Sequence, residues 1–311
     1  MKKVQISIII PVFNEKESLT QLLKAIEHSM NTVTADYEYV FIDDGSSDGS
    51  FDTLKSLKMR TSKDMTIIRF RKNMGKSPAL ASGFARARGD IVVTMDADLQ
   101  DDPSEIQPLI QKLQDGYDMV VGWRKKRSDM QGKIRLSRIF NFVVSKAAHV
   151  PLHDMNCGLK VFRKRVVEEI DLYGELHRFI PVLAVSKGFK VTEMSVVHHE
   201  RKFGTSKFGS TRIMHASFDL ITTIFLASFK TRPLQIFGPI GLACIGMGII
   251  LLVYLSYIHL LGVPIGQRPL LQLGVLFILF GVQLFSTGLI GELITSQNAR
   301  KVTYPIDEVI T

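Results

Sequence analysis

The chain has 311 residues, with 39 lysines and arginines against 30 aspartates and glutamates, for a formal net charge of +9. That length leaves room for one large soluble domain plus something smaller, and a count of two cysteines, Cys157 and Cys244, excludes a disulfide framework and fits a reducing compartment. Hydrophobic residues make up 46%, high for a soluble protein and low for a polytopic transporter; residues 1–215 read as globular sequence, whereas 234–294 hold two long apolar segments.

In chain order, apolar runs of strand length alternate with amphipathic stretches of helix length. Strands are expected at ISIIIPV (6–12), YEYVFID (37–43), MTIIRF (65–70), DIVVTMD (90–96) and YDMVVGW (117–123), and helices over 16–30, 49–60, 77–87 and 103–115. The last helix is opened by Asp101, Asp102 and Pro103 as cap and first-turn residues. Short β-branched runs joined by helices predict an α/β fold with a doubly wound, mainly parallel sheet. Ligands of such sheets bind beyond the carboxyl ends of the strands. Each predicted strand does end in polar groups: Asn14 and Glu15 after the first, DDGSSDGS with Asp43, Asp44 and Asp48 after the second, RKNMGKS after the third, the acidic run after the fourth and GWRKKR after the fifth.

Two nucleotide motifs are excluded. Gly75-Lys76-Ser77 has Phe70 where a phosphate-binding P-loop needs its first glycine, and no G-x-G-x-x-G follows the first strand. The acidic run MDADLQDDP places Asp96 and Asp98 two residues apart. In an extended segment they would project to one side about 7 Å apart and repel by roughly 2 kcal/mol at an effective dielectric near 20. A divalent cation removes that cost, and oxygen-only donors with few protein contacts suit Mg²⁺ or Mn²⁺. Asp101 and Asp102 are explained as helix-terminal carboxylates.

The segments beginning at Leu234 and Leu270 each reach the ~20 residues needed to cross a hydrocarbon core, which predicts two transmembrane helices at about 234–261 and 270–294. Lys230 and Arg232 precede them and Arg300 and Lys301 follow, so the positive-inside rule places both ends in the cytoplasm. The N-terminal stretch turns polar after one strand length, and no cleavable signal sequence is expected. The expected organisation is a cytoplasmic catalytic domain over 1–211, an interfacial amphipathic helix over 212–232, the two spans within 233–296 and a cytoplasmic tail over 297–311. The stretch 134–148 is similarly amphipathic. The segment 124–146 is rich in lysine and arginine, suited either to a phosphate or to anionic headgroups. Nucleic-acid binding is discounted, since no recognisable module accompanies the basic charge. Gly238, Gly241, Gly246 and Gly248 would let the spans pack against a second copy.

Taken together, SIIIPVFNE, IDDGSSDGS, NMGKSPALASGF and MDADLQDDP resemble glycosyltransferase family 2 with its GT-A fold. DMNCGLKVFRKRVV (154–167), LHRFIPVLA (176–184), HHERKFGTSKFG (198–209) and the apolar hairpin resemble its polyprenyl-phosphate glycosyltransferases. The resemblance implies an inverting, cell-membrane enzyme moving a sugar from a nucleotide donor, with UDP-hexose favoured, to polyprenyl phosphate. It implies that Pro11, Phe13 and Glu15, with Asp43 or Asp44, hold base and ribose, and that Lys76 joins the donor site. Asp96 and Asp98, with Gln100, would anchor the metal. Arg201 and Lys207 would clamp donor phosphates, and Arg124 with one or more of Lys133, Arg135 and Arg138 would receive the lipid phosphate. Asp154 is left as a base or a positioning group, with positioning favoured, and the pair His198–His199 is read as structural. A processive polysaccharide synthase of the same fold is discounted because the only tryptophan, Trp123, is not in a Gln-x-x-Arg-Trp motif. A non-catalytic membrane-anchored scaffold is argued against by the intact acidic run.

Overall fold

The computed structural model describes residues 4–31, 33, 35–125, 152–174, 176–200, 234–266, 268–297 and 306–310. The chain divides into two compact units, Met1–Ala227 with Thr303–Thr311, and Ser228–Val302.

In the first unit the strands are β1 (Ile6–Val12), β2 (Tyr37–Asp43), β3 (Asp64–Phe70), β4 (Ile91–Thr94), β5 (Met119–Trp123), β6 (Lys160–Arg163), β7 (Val191–Ser195) and β8 (Ile306–Ile310). The helices between them are α1 (Lys16–Met30), α2 (Ser50–Lys58), α3 (Lys76–Phe84), α4 (Ile106–Gln114), α5 (Lys164–Glu169) and α6 (Ile180–Ser186). Sheet order is β7-β5-β6-β4-β1-β2-β3-β8. β4, β1, β2 and β3 run parallel, as alternating strands and helices require. β1 and β2 lie at the centre: Ile8, Ile9, Ile10, Tyr39, Val40, Phe41 and Ile42 are fully buried, which explains their nearly uninterrupted apolar runs.

Buried Glu38 in β2 interrupts that run and is fully provided for. Ser7 Oγ donates to it at 2.6 Å, and the Arg88 backbone N–H and Nε donate at 2.8 and 2.7 Å. This ion pair sits at the amino end of β2, opposite the polar rim.

The predicted β1, α1 and β2 have the observed bounds, and β3 differs by one residue. β4, β5, α2 and α3 differ from the expected bounds by one to three residues at an end, and three further features differ from expectation. β6 enters the sheet antiparallel between β4 and β5, so β5 is not the next parallel strand. The helix predicted over 103–115 opens with a 3₁₀ turn, Pro103–Glu105, capped by Asp102, and becomes α-helical only at Ile106. Part of the expected tail forms β8, which pairs antiparallel with β3.

The second unit contains α7 (Leu234–Leu260) and α8 (Pro269–Gln297). Phe237–Leu260 and Pro269–Gly291 are long and apolar enough to cross a membrane, and leucines, isoleucines and valines along both helices are exposed. The two helices pack through small residues. A Cβ on Gly241 would lie 2.8 Å from the Gly281 carbonyl, and one on Gly248 would lie 2.7 Å from that of Gly274. Gly241 and Gly248 therefore serve contact within the hairpin, and of the four glycines considered for pairing between copies only Gly246 faces open space. The interfacial helices expected at 134–148 and 212–232 lie outside the described residues.

Candidate active site

The site is built where β1, β2 and β4 end. After β1, Asn14 takes a left-handed conformation (φ +53°), its N–H donating to Ser46 Oγ at 2.9 Å and its Oδ1 accepting from Ser47 N–H at 2.9 Å. Lys16 N–H donates to Asp48 Oδ2 at 3.0 Å and Glu15 N–H to Ser50 Oγ at 3.0 Å. These bonds join the loop after β1 to the DDGSSDGS loop after β2. A third loop is joined by Asp44, which accepts Met74 N–H at 2.6 Å and Gly75 N–H at 2.9 Å. Gly45 is needed at that junction: its φ is +69°, and a Cβ there would lie 2.6 Å from the Lys72 carbonyl carbon.

The two neighbouring aspartates thus differ. Asp44 clamps a loop, and burial pushes its carboxyl up to about 6 against those backbone donors. Asp43 is fully buried; Oδ1 accepts Ser46 N–H at 3.2 Å, Arg69 Nε stands 3.7 Å from Oδ2, and Oδ2 has no hydrogen bond among the described residues. An orphaned buried acceptor beside the rim matches a group awaiting a donor from a ligand.

At β4 the structure departs from the extended geometry expected of the acidic run. β4 stops at Thr94, Asp98 lies in a turn, and Leu99 adopts φ +61°, a strained value for a branched side chain. Asp96 and Asp98 are therefore related by a turn and not by strand alternation. Lys76, the first residue of α3, reaches across so that Nζ lies 2.5 Å from Asp96 Oδ1. Desolvation would raise the Asp96 carboxyl, but Lys76, with Lys160 and Arg124 behind it, holds it below the usual carboxylate range.

Asp102 acts as predicted, accepting Ser104 N–H at 2.9 Å at the helix start. Asp101 does not. It is buried, forms an antiparallel bridge with His198, and its Oδ2 has no hydrogen-bond partner among the described residues. A Cβ on Gly158 would sit 2.6 Å from Asp96 Oδ2 and 2.8 Å from Asp101 Oδ2, so the two oxygens border one gap that exists because residue 158 has no side chain.

Behind this gap lies a small pocket lined by Pro11, Lys76, Thr94, Asp96, Asn156, Gly158, Lys160 and His177, among others. Lys160 is buried at the start of β6 and donates to the Cys157 carbonyl; burial pushes its ammonium down to about 8. His177 is held well below its ordinary value, first by burial and then by Lys76 and other cations, and is neutral. Ser77 Oγ lies 3.1 Å from its Nδ1 and accepts its backbone N–H at 2.9 Å. Beside the pocket, Arg124 at the end of β5 is paired side-on with buried Asp154, Nε to Oδ2 at 2.7 Å and Nη2 to Oδ1 at 3.0 Å.

The structure brings together Pro11, Lys76 and Asp96 around the pocket, and Asp154 with Arg124. Phe13, Glu15 and Asp43 belong to the β1 and β2 loops, while Asp98 and Gln100 belong to the acidic turn. Lys133, Arg135, Arg138, Arg201 and Lys207 lie outside the described residues. Sequence reasoning missed Lys160, His177, Gly158 and the burial of Asp101; GLK and LHRF carried the only signal, as fragments of longer motifs.

Among the described residues no three His, Cys, Asp or Glu side chains converge as a ready-made metal cage. The donor set nevertheless fits a hard divalent cation. Asp96 Oδ2 and Asp101 Oδ2 border one gap that Gly158 keeps clear, and Asp101 Oδ2 is a buried acceptor without a hydrogen-bond partner among the described residues; Asp98 lies in the same turn. Mg²⁺-type ions are held through one or two carboxylates plus substrate phosphate.

Comparison with known proteins agrees with this fold. Residues 7–171 match the family described as glycosyl transferase family 2, and residues 232–297 match the GtrB C-terminal hairpin. The chain is 34% identical to a dodecaprenyl-phosphate galacturonate synthase of Rhizobium johnstonii, over 94% of this chain and 88% of that one. It is also 34% identical to an undecaprenyl-phosphate 4-deoxy-4-formamido-L-arabinose transferase of Serratia proteamaculans, over 93% and 88%. Glucosyl-3-phosphoglycerate synthase from Mycobacterium tuberculosis, solved with Mn²⁺ and UDP-glucose, has a similar fold with TM-score 0.53 at 16% identity, covering 72% of this chain and 78% of that chain.

Proposed function

Because this chain belongs to glycosyltransferase family 2, we propose that it transfers a sugar from a nucleoside diphosphate, with UDP-hexose favoured, to the phosphate of a polyprenyl lipid. The observation that carries this reading is the convergence at one sheet rim of an oxygen-donor acidic turn and a deeply placed arginine. The first is suited to a cation-bound diphosphate and the second to a phosphate acceptor.

The chemistry follows from the acceptor. A phosphate monoester has a second pKa near 6 and is largely dianionic at neutral pH, so it needs no base and can attack the anomeric carbon directly. The new bond forms from phosphate oxygen to that carbon as the bond to the donor's diphosphate breaks, with inversion. Asp154 then has a positioning role: its two oxygens hold Arg124 Nε and Nη2 in a fixed plane. Asp98, Gln100 and Asp96 would hold Mg²⁺ or Mn²⁺. When bound, the cation would neutralise charge developing on the leaving diphosphate. Lys76 and Lys160 supply fixed positive charge beside Asp96. Asp43, with its orphaned Oδ2, fits a hydrogen-bonding role toward the base, and Pro11, Phe13 and Glu15 complete that side.

The hairpin supports a multi-pass location in the cell membrane. The soluble sheet resumes after the hairpin as β8, and two crossings return a chain to the side it left. The lysines and arginines flanking the hairpin are what support a cytoplasmic side for sheet and tail.

The test is incubation of the purified full chain with a panel of nucleotide sugars, undecaprenyl phosphate and Mg²⁺ or Mn²⁺. Organic-soluble sugar is expected with one donor; its absence with every donor would refute the reading.

A further inference from the structure

The acidic turn is stitched along its length to the segment 197–199. Val197 N–H donates to Glu105 Oε1 at 3.1 Å, His199 N–H to the Gln100 carbonyl at 2.8 Å, and His198 bridges to Asp101. Two side-chain contacts bear on the Gln100 amide. Its Nε2 lies 3.4 Å from the His199 carbonyl and 3.4 Å from His198 Nε2.

The polarity of these contacts is determined by chemistry. A carbonyl only accepts, so the Gln100 group facing His199 is the NH₂, and the amide oxygen Oε1 is turned the other way. The second amide hydrogen needs an acceptor, which requires His198 Nε2 to be unprotonated and the ring hydrogen to sit on Nδ1. Nδ1 faces Asp101 Oδ1 at 3.7 Å, beyond hydrogen-bond distance and with no hydrogen-bond partner among the described residues, both side chains being more than nine-tenths buried. A carboxylate at that position favours the Nδ1–H tautomer. A Gln side chain offers a metal its oxygen and not its nitrogen, so the orientation of this amide decides whether Gln100 can be a ligand at all.

We infer that His198 is a positioning residue that orients the Gln100 amide so that its oxygen is presented for a divalent cation. The inference rests on the reading of Gln100 as a metal ligand in the proposed function. It assigns the histidine pair a part in metal affinity, where sequence alone makes them structural. The backbone contacts of 197–199 support the strained turn at Leu99, and the His198 ring acts on one side chain within it.

The experiment uses the full chain in detergent and reads Mn²⁺ binding, with UDP present, from the free-ion electron paramagnetic resonance signal. UDP binding without metal is measured in parallel, and thermal unfolding reports integrity. His198→Leu removes the acceptor and is expected to weaken Mn²⁺ binding about 10–100-fold, the range usual for outer-shell partners, with metal-free UDP binding unchanged. His198→Gln, which can accept from Gln100, is expected to restore most of the loss. Gln100→Ala is expected to weaken binding comparably, and the double variant to be no weaker than the worse single. Unchanged Mn²⁺ affinity in His198→Leu, or losses that multiply in the double variant, would overturn the inference. Absence of Mn²⁺ binding in the parent chain would instead overturn the metal reading beneath it. If His198→Leu unfolds, failure of a folded His198→Gln to bind Mn²⁺ within tenfold of the parent has the same force against it.

Discussion

Arg124 and Asp154 hold each other side-on through two hydrogen bonds, although 30 residues of chain separate them. The Asp154 side chain is 3% exposed and that of Arg124 14%. Burial lowers the guanidinium's hold on its proton, and Asp154 outweighs that, so the arginine stays charged. Asp154→Ala should therefore strand a buried cation and lower stability by about 3–5 kcal/mol, measured by thermal or denaturant unfolding. The double variant Arg124→Met/Asp154→Leu should recover most of that stability yet not transfer. Arg124→Lys should raise the KM for the lipid more than that for the donor, since an ammonium keeps the charge and loses the fork. A larger effect on the donor would move Arg124 to the donor side.

Gly158→Ala tests the gap between Asp96 and Asp101. The added methyl would stand 2.6 and 2.8 Å from their Oδ2 atoms, and overpacking of this kind costs about 1–3 kcal/mol. Donor affinity should fall more steeply than stability, which titration of UDP in the presence of Mn²⁺ would show. Normal affinity would mean that the gap is not part of the donor site.

Chelation should abolish transfer and Mn²⁺ or Mg²⁺ should restore it. Asp98→Ala should lose activity irrecoverably while circular dichroism stays unchanged. Full activity of the chelated enzyme would refute the metal requirement.

Lys160 predicts a pH dependence of stability. Its ammonium ordinarily titrates near 10.5 and is pushed down to about 8 by burial, a displacement corresponding to roughly 3 kcal/mol. Below pH 8 both folded and unfolded chains carry this proton and the penalty is fully present. As pH rises toward 10.5 the folded chain has released it while the unfolded chain keeps it, so the penalty is lifted. Lys160→Met should thus stabilise the protein near pH 7 and flatten the rise seen in the parent between about pH 8 and 10. Identical pH profiles of the two proteins would refute this.

The legibility of the site in sequence varied with the distance over which its parts are assembled. Asp96, Asp98 and Gln100 stand out because a turn after a strand gathers them locally. The β1, α1 and β2 boundaries are marked by continuous apolar runs and by polar residues that end them. Gly158 and Lys160 could not be placed this way. They reach Asp96 only because β6 inserts antiparallel beside β4, and no period in the chain announces an antiparallel insertion so far along the sequence. Asp101 was misread for a related reason: helix-start preference explains Asp102, and only the bridge to His198, nearly a hundred residues later, draws its neighbour inward.

Removing residues 306–310 should leave the β3 edge without its partner. The shortened protein should melt lower and aggregate more readily with concentration, as light scattering would show. An unchanged melting temperature would mean that β8 adds nothing to the sheet.

The position of β8 in the chain also sets an order of events during synthesis. Ribosomes deliver α7 and α8 before Ile306 exists, so the sheet's last strand is available only after both apolar helices have been made. Until then β3 presents an open edge. Completion of the sheet thereby becomes a late checkpoint, reached only by chains whose hairpin has already been made.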